Sequence, residues 1–347
     1  MPGTNTIDLR SDTKTQPDAR MRLAMSEAEV GDDKSNEDPT VRRLEEMSAE
    51  VLGKEAGLFV VSGTMGNLVS IKTQTRPGQQ VICERDAHIY LWEAGGLSMI
   101  CGLLPVLIPG ANGVMNPEDV EAAISDGSNV HVGATGLIEI ENTHNMAGGT
   151  VLSVQQTQGI CDVAHAHGIP VHCDGARIFN AAVALGVDAA ELAAPVDTIQ
   201  FCFSKGLGAP VGSMICGPSD FIEAARSVRN VVGGALRQAG VIAAACVVAL
   251  EEGPRRLHED HAHARTIAET LVELPGVSVD LATVQTNIIN LEVRRDDVSA
   301  PSLCHALEAY DIAAIPRSET EIRLVTHKQV SDEDTERVCQ ALREVLG

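Results

Sequence analysis

Short apolar runs alternate with helical stretches along most of this 347-residue chain, and glycine, serine or aspartate follows several of the runs. Gly57–Val61 leads into Ser62-Gly63-Thr64-Met65-Gly66 and then a helical segment. Gln80–Cys83, Leu103–Ile108, Gly136–Ile140, Ile169–Cys173 and Thr198–Phe203 repeat the theme. Val41, Leu44, Met47, Val51 and Leu52 recur at helical spacing, which predicts a helix over 40–52. Asn116-Pro117-Glu118-Asp119 opens another, with a capping side chain, proline at the first helical position and acids in the first turn. Ser153–His167 reads as a third, stopped by Gly168. Strands alternating with helices predict an α/β fold, a mostly parallel sheet with helices on both faces. Ligands of such sheets bind at the carboxyl ends of the strands. The residues just after each run are therefore the ones to inspect.

The pattern changes after about Glu251. A charged helix over Pro254–Leu274 precedes short strands near Val277–Asp280 and Ile288–Val293, a helix near Ser299–Tyr310, a strand at Glu321–Val325 and a last helix. The reading is a large domain over residues 1–250, entered by an irregular polar arm, and a smaller α+β domain over 251–347. Aromatic residues are only 2% of the chain, so Ala, Val, Leu and Ile must fill both cores.

Several function classes are excluded. The net charge of −22, from 26 Lys+Arg against 48 Asp+Glu, repels phosphate backbones and argues against nucleic acid. No basic run would steer the chain to an anionic membrane, and the longest apolar stretches, such as Val241–Leu250, are too short to span one. Met1–Asp12 lacks the basic-then-apolar pattern of a secretory signal. Nine cysteines stand singly, with no CxxC pair, as buried free thiols do in a reducing compartment. The expectation is a cytoplasmic protein.

Three segments carry chemistry. In Phe201–Pro210 an apolar strand ends at Ser204-Lys205 and a glycine-rich turn follows. Desolvation there would depress the lysine pKa, as a Schiff-base lysine requires; a surface lysine at a strand end also fits. Upstream, Val171–Arg177 ends a strand in Asp174 and places Arg177 three residues on, in reach of a ring oxygen or a carboxylate. An aspartate beneath a pyridine ring keeps its nitrogen protonated and makes the ring an electron sink; a helix cap with a salt-bridging arginine fits as well. Ser62–Asn67 lies between strand and helix, where Thr64 and backbone amides could cradle a phosphate, although glycine turns are ordinary at such junctions.

Phosphate cup, ring acid and lysine, in that order at strand ends, resemble fold type I pyridoxal-phosphate enzymes. Longer segments are similar to the threonine aldolase family: Ile7–Thr13, Glu29–Asp33, Glu37–Thr40, Ala87–Tyr90, Glu93–Gly96, Glu141–Asn145, Asp174–Asn180, Ser204–Gly212, Arg237-Gln238 and Arg323–His327. They extend over nearly the whole chain.

The resemblance implies an aminotransferase-like architecture and cleavage of threonine, allo-threonine or a related β-hydroxy-α-amino acid to glycine and an aldehyde. It implies that pyridoxal 5'-phosphate is carried by Lys205, that Asp174 pairs with its ring nitrogen, and that Gly63, Thr64 and Ser204 hold its phosphate. His88 would stack on the ring. Ser11, Arg177 and Arg323 would grip the substrate carboxylate. Arg237 would cross into a neighbouring subunit of a homodimer or homotetramer with shared active sites. His88 and His131 are the candidates for the base that takes the β-hydroxyl proton.

The chain departs from the family pattern at Ser35-Asn36, where many relatives carry Tyr-Gly, and at Trp92, more often Phe or Tyr. Both departures point to a changed side-chain pocket and a bulkier substrate such as phenylserine. Asn230 stands where a basic residue is common. No metal site is expected; His258, His261 and His263 share one predicted helix without an acid or Cys partner. The competing functions are another pyridoxal-phosphate lyase, a racemase or transaminase on the same fold, and a non-catalytic relict.

Overall fold

The computed structural model describes residues 6–295 and 297–347. Its apolar runs pair into a seven-stranded sheet: β1 (Ala56–Val60), β2 (Gln80–Glu84), β3 (Leu104–Ile108), β4 (Thr135–Glu141), β5 (Val171–Asp174), β6 (Thr198–Cys202) and β7 (Ser213–Gly217). The strand order is β1-β7-β6-β5-β4-β2-β3. All neighbours are parallel except β7, which is antiparallel to β1 and β6. Every residue of β4 to β7 is buried, which is why these strands read as nearly continuous apolar runs. The sequence reading lacks β7. That strand returns from β6 through a glycine–proline turn with no crossover helix, so the strand–helix rhythm does not announce it.

Helices cover the sheet. The first, α1 (Pro39–Val51), is capped by Asp38, whose carboxylate accepts from the amides of Thr40 and Val41. Next, α2 (Gly63–Gln74) starts at Ser62. A capping box between Ser153 and Gln156 opens α3 (Val154–Ala166). Then come α4 (Ile178–Leu185) and α5 (Ser219–Val231). A 33-residue helix, α6 (Gly240–Val272), follows and runs without a break through the expected domain boundary at residue 250. Pro254 lies inside it, rather than opening a new helix. The expected helix began at Pro254, the first helical position that proline favours. In the structure Gly253 instead permits close packing: a Cβ there would lie 2.8 Å from Leu207 Cδ2, in the turn that follows Lys205.

The two largest hydrophobic cores divide along α6, one reaching Leu257 and the other beginning at Ala264. The second core lies under a four-stranded antiparallel sheet of β8 (Val277–Ser278), β9 (Ile288–Val293), β10 (Ile315–Pro316) and β11 (Glu321–Val325), ordered β8-β9-β11-β10. It is completed by α7 (Ala300–Glu308) and α8 (Asp332–Leu346). The N-terminal arm departs from the expected division. Ile7-Asp8 pairs in parallel with Ile312-Ala313, and Ile7 and Leu9 pack into the second core. A strand pairing across some 300 positions leaves no local trace in the sequence. Among the described residues no helix is long and apolar enough to cross a membrane, and all nine cysteines are free and buried.

Candidate active site

The parallel register aligns Glu141 of β4, Asp174 of β5 and Gln200 of β6 at the carboxyl end of the sheet. Alternation puts Glu139, His172 and Thr198 on the same face, one step further in. The start of α2 packs directly on this face. A Cβ at Gly63 would lie 2.8 Å from Cys202 Sγ, and one at Gly66 would lie 3.2 Å from Gln200 Cβ. Ser62 Oγ accepts from the Met65 amide at 3.2 Å. The Gly63 and Thr64 amides, at the first helical positions, have no intrahelical acceptor. They form the positive end of a 12-residue helix, a setting that favours an anion.

Asp174 is 2% exposed and well supplied with donors. Asn67 Nδ2 donates to Oδ2 at 2.8 Å, the Ala176 amide donates to Oδ1 at 3.0 Å, and Gln200 Nε2 also donates to Oδ1. Burial disfavours its charge, but His88, Lys205 and these bonds outweigh that and hold the carboxyl below its usual range.

Asn67 Nδ2 also donates to Glu93 Oε1 at 2.8 Å. With both amide hydrogens turned toward carboxylates, Oδ1 must accept, and its partner is His172 Nε2 at 3.2 Å. Neutral His172 then accepts at Nδ1 from Thr198 Oγ1 (2.9 Å), which itself accepts from Gln74 Nε2 (3.0 Å). The donors all point one way, from Gln74 at the far end of α2 to Asp174. Burial pushes the His172 pKa down to about 4, so the imidazole is neutral at neutral pH. Sequence reasoning missed Asn67, His172, Thr198 and Gln200. Their signal was polar residues at inward positions of otherwise apolar elements.

His88 opens a short helix, His88–Leu91, on the other side of the pocket. Its amide donates to Glu141 Oε2 at 2.7 Å, and its Nδ1 lies 3.0 Å from Glu93 Oε1. Burial works against the imidazolium, but the Glu93 bond and the Asp174 charge prevail and raise the His88 pKa. Burial and Asp174 raise that of Glu93. Glu141 Oε1 accepts from the Asn145 amide at 2.7 Å, so one carboxylate positions both the His88 and the Asn145 segments. His88, Glu93 and Asp174 also bring ligand-type atoms within 4.8 Å of one another. Their bonds to each other and to Asn67 account for this grouping without a metal ion.

His88, Glu141, Asn145 and Asp174 line a cavity of about 520 Å³ together with Ser11, Trp92, Arg177, Lys205, Arg317 and Arg323. Lys205 follows β6, and its carbonyl accepts from Thr15 Oγ1 at 3.1 Å. Ser204 is half-buried beside it. Arg177, expected on the substrate carboxylate, gives Nε and Nη2 to Asp12, both at 2.7 Å. That fork is spent inside the protein, where it ties the N-terminal arm to the sheet. Asn287 Nδ2 adds a bond to Asp12 at 3.3 Å. Arg323 Nη1 donates to Asn145 Oδ1 at 2.8 Å, and its buried Nε has no partner among the described residues. Burial, with Arg317 and Arg177 nearby, pushes the Arg323 guanidinium down to about 10. Arg317 was not foreseen.

Three expectations are not met within the chain. His131 is exposed and its amide bonds Asn129 Oδ1 at 3.0 Å. It precedes β4, whose other end carries Glu141; seven residues of strand separate the two ends by roughly 20 Å. Arg237, expected to reach a neighbouring subunit, contributes nothing to the cavity of its own chain; it points outward and pairs with Asp32 at 3.0 Å. Ser35 and Asn36 are not among the residues lining the cavity, whereas Trp92, 58% exposed, stands on its rim. His261 and His263 form no cluster: one accepts from Asn180 Nδ2 at 3.1 Å and the other meets Asp332 at 2.7 Å.

The residues present fit pyridoxal phosphate. Free amides at the start of α2 suit its phosphate, the ionised and triply bonded Asp174 suits a protonated ring nitrogen, and Lys205 opens onto the same cavity. Comparisons with known proteins agree. The family model of beta-eliminating lyases matches residues 8–294. Low-specificity L-threonine aldolase 1 of Arabidopsis thaliana is 44% identical over 345 residues, covering 98% of this chain and 96% of the relative. The solved threonine aldolase of Leishmania major superposes with a TM-score of 0.83 at 19% identity, covering 98% and 100% of the two chains. A structure of SPT with PLP superposes at 0.76 and 19% identity, covering 98% and 88%.

Proposed function

This chain belongs to the beta-eliminating lyase family, and within it to the threonine aldolases, and we propose that it cleaves L-threonine, L-allo-threonine and related β-hydroxy-α-amino acids to glycine and an aldehyde. It is a pyridoxal-phosphate-dependent carbon–carbon lyase. The observation that carries the reading is the convergence on one cavity of Lys205, the triply bonded Asp174 and Arg323, which has no carboxylate partner among the described residues.

Lys205 would carry the cofactor, Gly63, Thr64 and Ser204 its phosphate, and Asp174 its ring nitrogen, with His88 against the ring face. When bound, pyridoxal phosphate supplies an electron sink for the pair released from Cα. The chain's residues do the rest. Arg323 takes the substrate carboxylate, with Ser11 beside it, and so orients the Cα–Cβ bond. Arg177 positions the arm that carries Ser11, through Asp12. With Nδ1 held by Glu93, His88 presents Nε2 as the atom that receives the β-hydroxyl proton, directly or through one water. Cα–Cβ then breaks, the β-oxygen becomes the aldehyde carbonyl, and Cα takes a proton to give glycine.

We also infer a homo-oligomer, a dimer or a tetramer. Met99 and Val231 are 74% and 83% exposed and flank an apolar groove with Met65, Leu68 and Val228 beside the start of α2. A second copy would cover this surface and could receive Arg237. The nine buried free thiols support a cytoplasmic setting. The division of the chain that fits both cores is a large domain ending within α6 and a small one that includes the N-terminal strand.

The test uses the purified protein loaded with pyridoxal phosphate. Borohydride reduction followed by peptide mapping should place the cofactor on Lys205, and threonine, allo-threonine and phenylserine diastereomers should release their aldehydes. Lys205→Ala should remove both signals. Cofactor on another lysine, or glycine formation by Lys205→Ala at the native rate, overturns the assignment.

A further inference from the structure

We propose that Arg317 forms a second anion subsite in the active-site cavity and extends the substrates to β-hydroxy-α-amino acids with an acidic side chain, of which 3-hydroxyaspartate is the smallest. The inference rests on the aldolase reading and names a substrate class for the same site.

Three guanidinium groups reach the cavity. Arg177 is neutralised by its two-bond pair with Asp12. Arg317 and Arg323 have no such partner: among the described residues neither forms an ion pair with a carboxylate within 4.0 Å. Both are half-buried, and burial pushes both guanidinium groups down from their ordinary value; for Arg317 it does so against the attraction of Glu321, an exposed carboxylate on the same face that lies beyond ion-pair distance. A desolvated cation without an anion is costly, so a pocket with two of them is built to receive negative charge. The α-carboxylate of an amino-acid substrate supplies one.

Sheet geometry aims both groups at that space. Ile315 pairs with Arg323 across β10 and β11, and the Arg317 amide continues the ladder by donating to the Glu321 carbonyl at 2.7 Å. Alternation therefore puts Ile315, Arg317, Glu321 and Arg323 on one face, and all four line the cavity. The two arginines flank Asn145. Arg323 takes its side-chain oxygen at 2.8 Å, while Arg317 reaches its carbonyl only at 3.5 Å. The other Arg317 contacts are also long and to neutral oxygens, Asn290 Oδ1 at 3.3 Å and the Met146 carbonyl at 3.5 Å. Arg323 is seated and Arg317 is loosely held, as suits a group whose partner arrives with the substrate. The reaction balances without a co-reactant. Cα–Cβ of 3-hydroxyaspartate breaks, the β-oxygen loses its proton and becomes the carbonyl of glyoxylate, and Cα gains a proton to give glycine.

The experiment measures glycine formation from L-threonine and from the L-3-hydroxyaspartate diastereomers by the holoenzyme and by Arg317→Gln. Binding of malate and 3-hydroxybutyrate, the two substrates without their amine, is followed by calorimetry. The native enzyme should cleave 3-hydroxyaspartate and bind malate more tightly than 3-hydroxybutyrate. Arg317→Gln should raise KM for 3-hydroxyaspartate and Kd for malate roughly 10- to 100-fold, the worth of a charge-assisted hydrogen bond, and change the threonine KM less than threefold. Arg317→Lys should recover part of the loss. Equal losses on both substrates would mean that two arginines grip one carboxylate and would overturn the proposal. Threonine cleavage without 3-hydroxyaspartate cleavage overturns it too and leaves the aldolase reading intact. Failure to cleave either substrate refutes that reading itself. An unchanged melting temperature separates these effects from misfolding.

Discussion

His172 stores a pH-dependent part of the protein's stability, and its size follows from the structure. The imidazole is fully buried, with one nitrogen accepting from Thr198 and the other donating to Asn67. Its pKa is about 4 in the folded state, against roughly 6.5 when unfolded. The unfolded chain therefore binds the proton first as pH falls. The contribution is complete above pH 6.5, declines through the window from 6.5 to 4, and is gone below it. At about 1.4 kcal/mol per pH unit, the loss over that window comes to about 3 kcal/mol. The assay is urea unfolding at pH 7.5, 6.5, 5.5 and 4.5, followed by circular dichroism, for the native protein and for His172→Gln. Gln cannot titrate, so the difference between the two curves isolates this residue from other histidines. The native protein should lose about 2 to 3 kcal/mol relative to the variant between pH 7.5 and 4.5. Parallel curves would refute the claim that a neutral imidazole is locked beneath α2. Because His172 orients the amide that serves Asp174, the variant should also bind pyridoxal phosphate more weakly.

Three other outcomes follow from the same geometry. Asp12→Asn strands the buried Arg177 charge and should cost about 3–5 kcal/mol in urea unfolding; a loss below about 1 kcal/mol would mean that the pair is not buried in solution. Glu139 is fully buried with neither carboxyl oxygen bonded, and burial among Asp174 and Glu141 raises its pKa well above the usual range. The folded state keeps that proton, so stability falls as pH rises above about 4.5, and Glu139→Met should be more stable at pH 8 by about 1–3 kcal/mol; a less stable variant would count against the orphaned carboxyl. Since His88 has a raised pKa and accepts the proton only when neutral, the acid limb of kcat should fall above pH 6.5 and vanish in His88→Gln, with kcat down about 10²- to 10⁴-fold. A variant that retains the limb would show that another group is the base.

Much of the site was legible because its residues stand where strands end. Asp174 and Lys205 close apolar runs, Gly63-Thr64 open a helix, and register then brings them to one rim. The supporting residues were not legible in this way. Asn67 lies inside a helix and His172 and Gln200 inside strands, where nothing local separates a polar group that supports a pocket from one that fills a gap. His131 is placed by the chain it belongs to: it stands at the near end of β4, away from the cavity of its own chain, which Glu141 marks at the far end. Arg177 shows a third: its type suggested a substrate clamp, but Asp12, 165 positions away, already occupies its fork.

The order of strands and helices, the buried character of the central strands and the positions of the cofactor residues are local properties. They follow from period, caps and turns, and the amino-acid sequence determines them by itself. The antiparallel return of β7, the joining of Ile7-Asp8 to Ile312-Ala313, the long α6 shared by two cores and the pairing of Arg177 with Asp12 arise only when distant segments meet. Which cations remain without an anion decides what the pocket can accept, and that depends on the whole packed molecule because charge is neutralised across space and not along the chain.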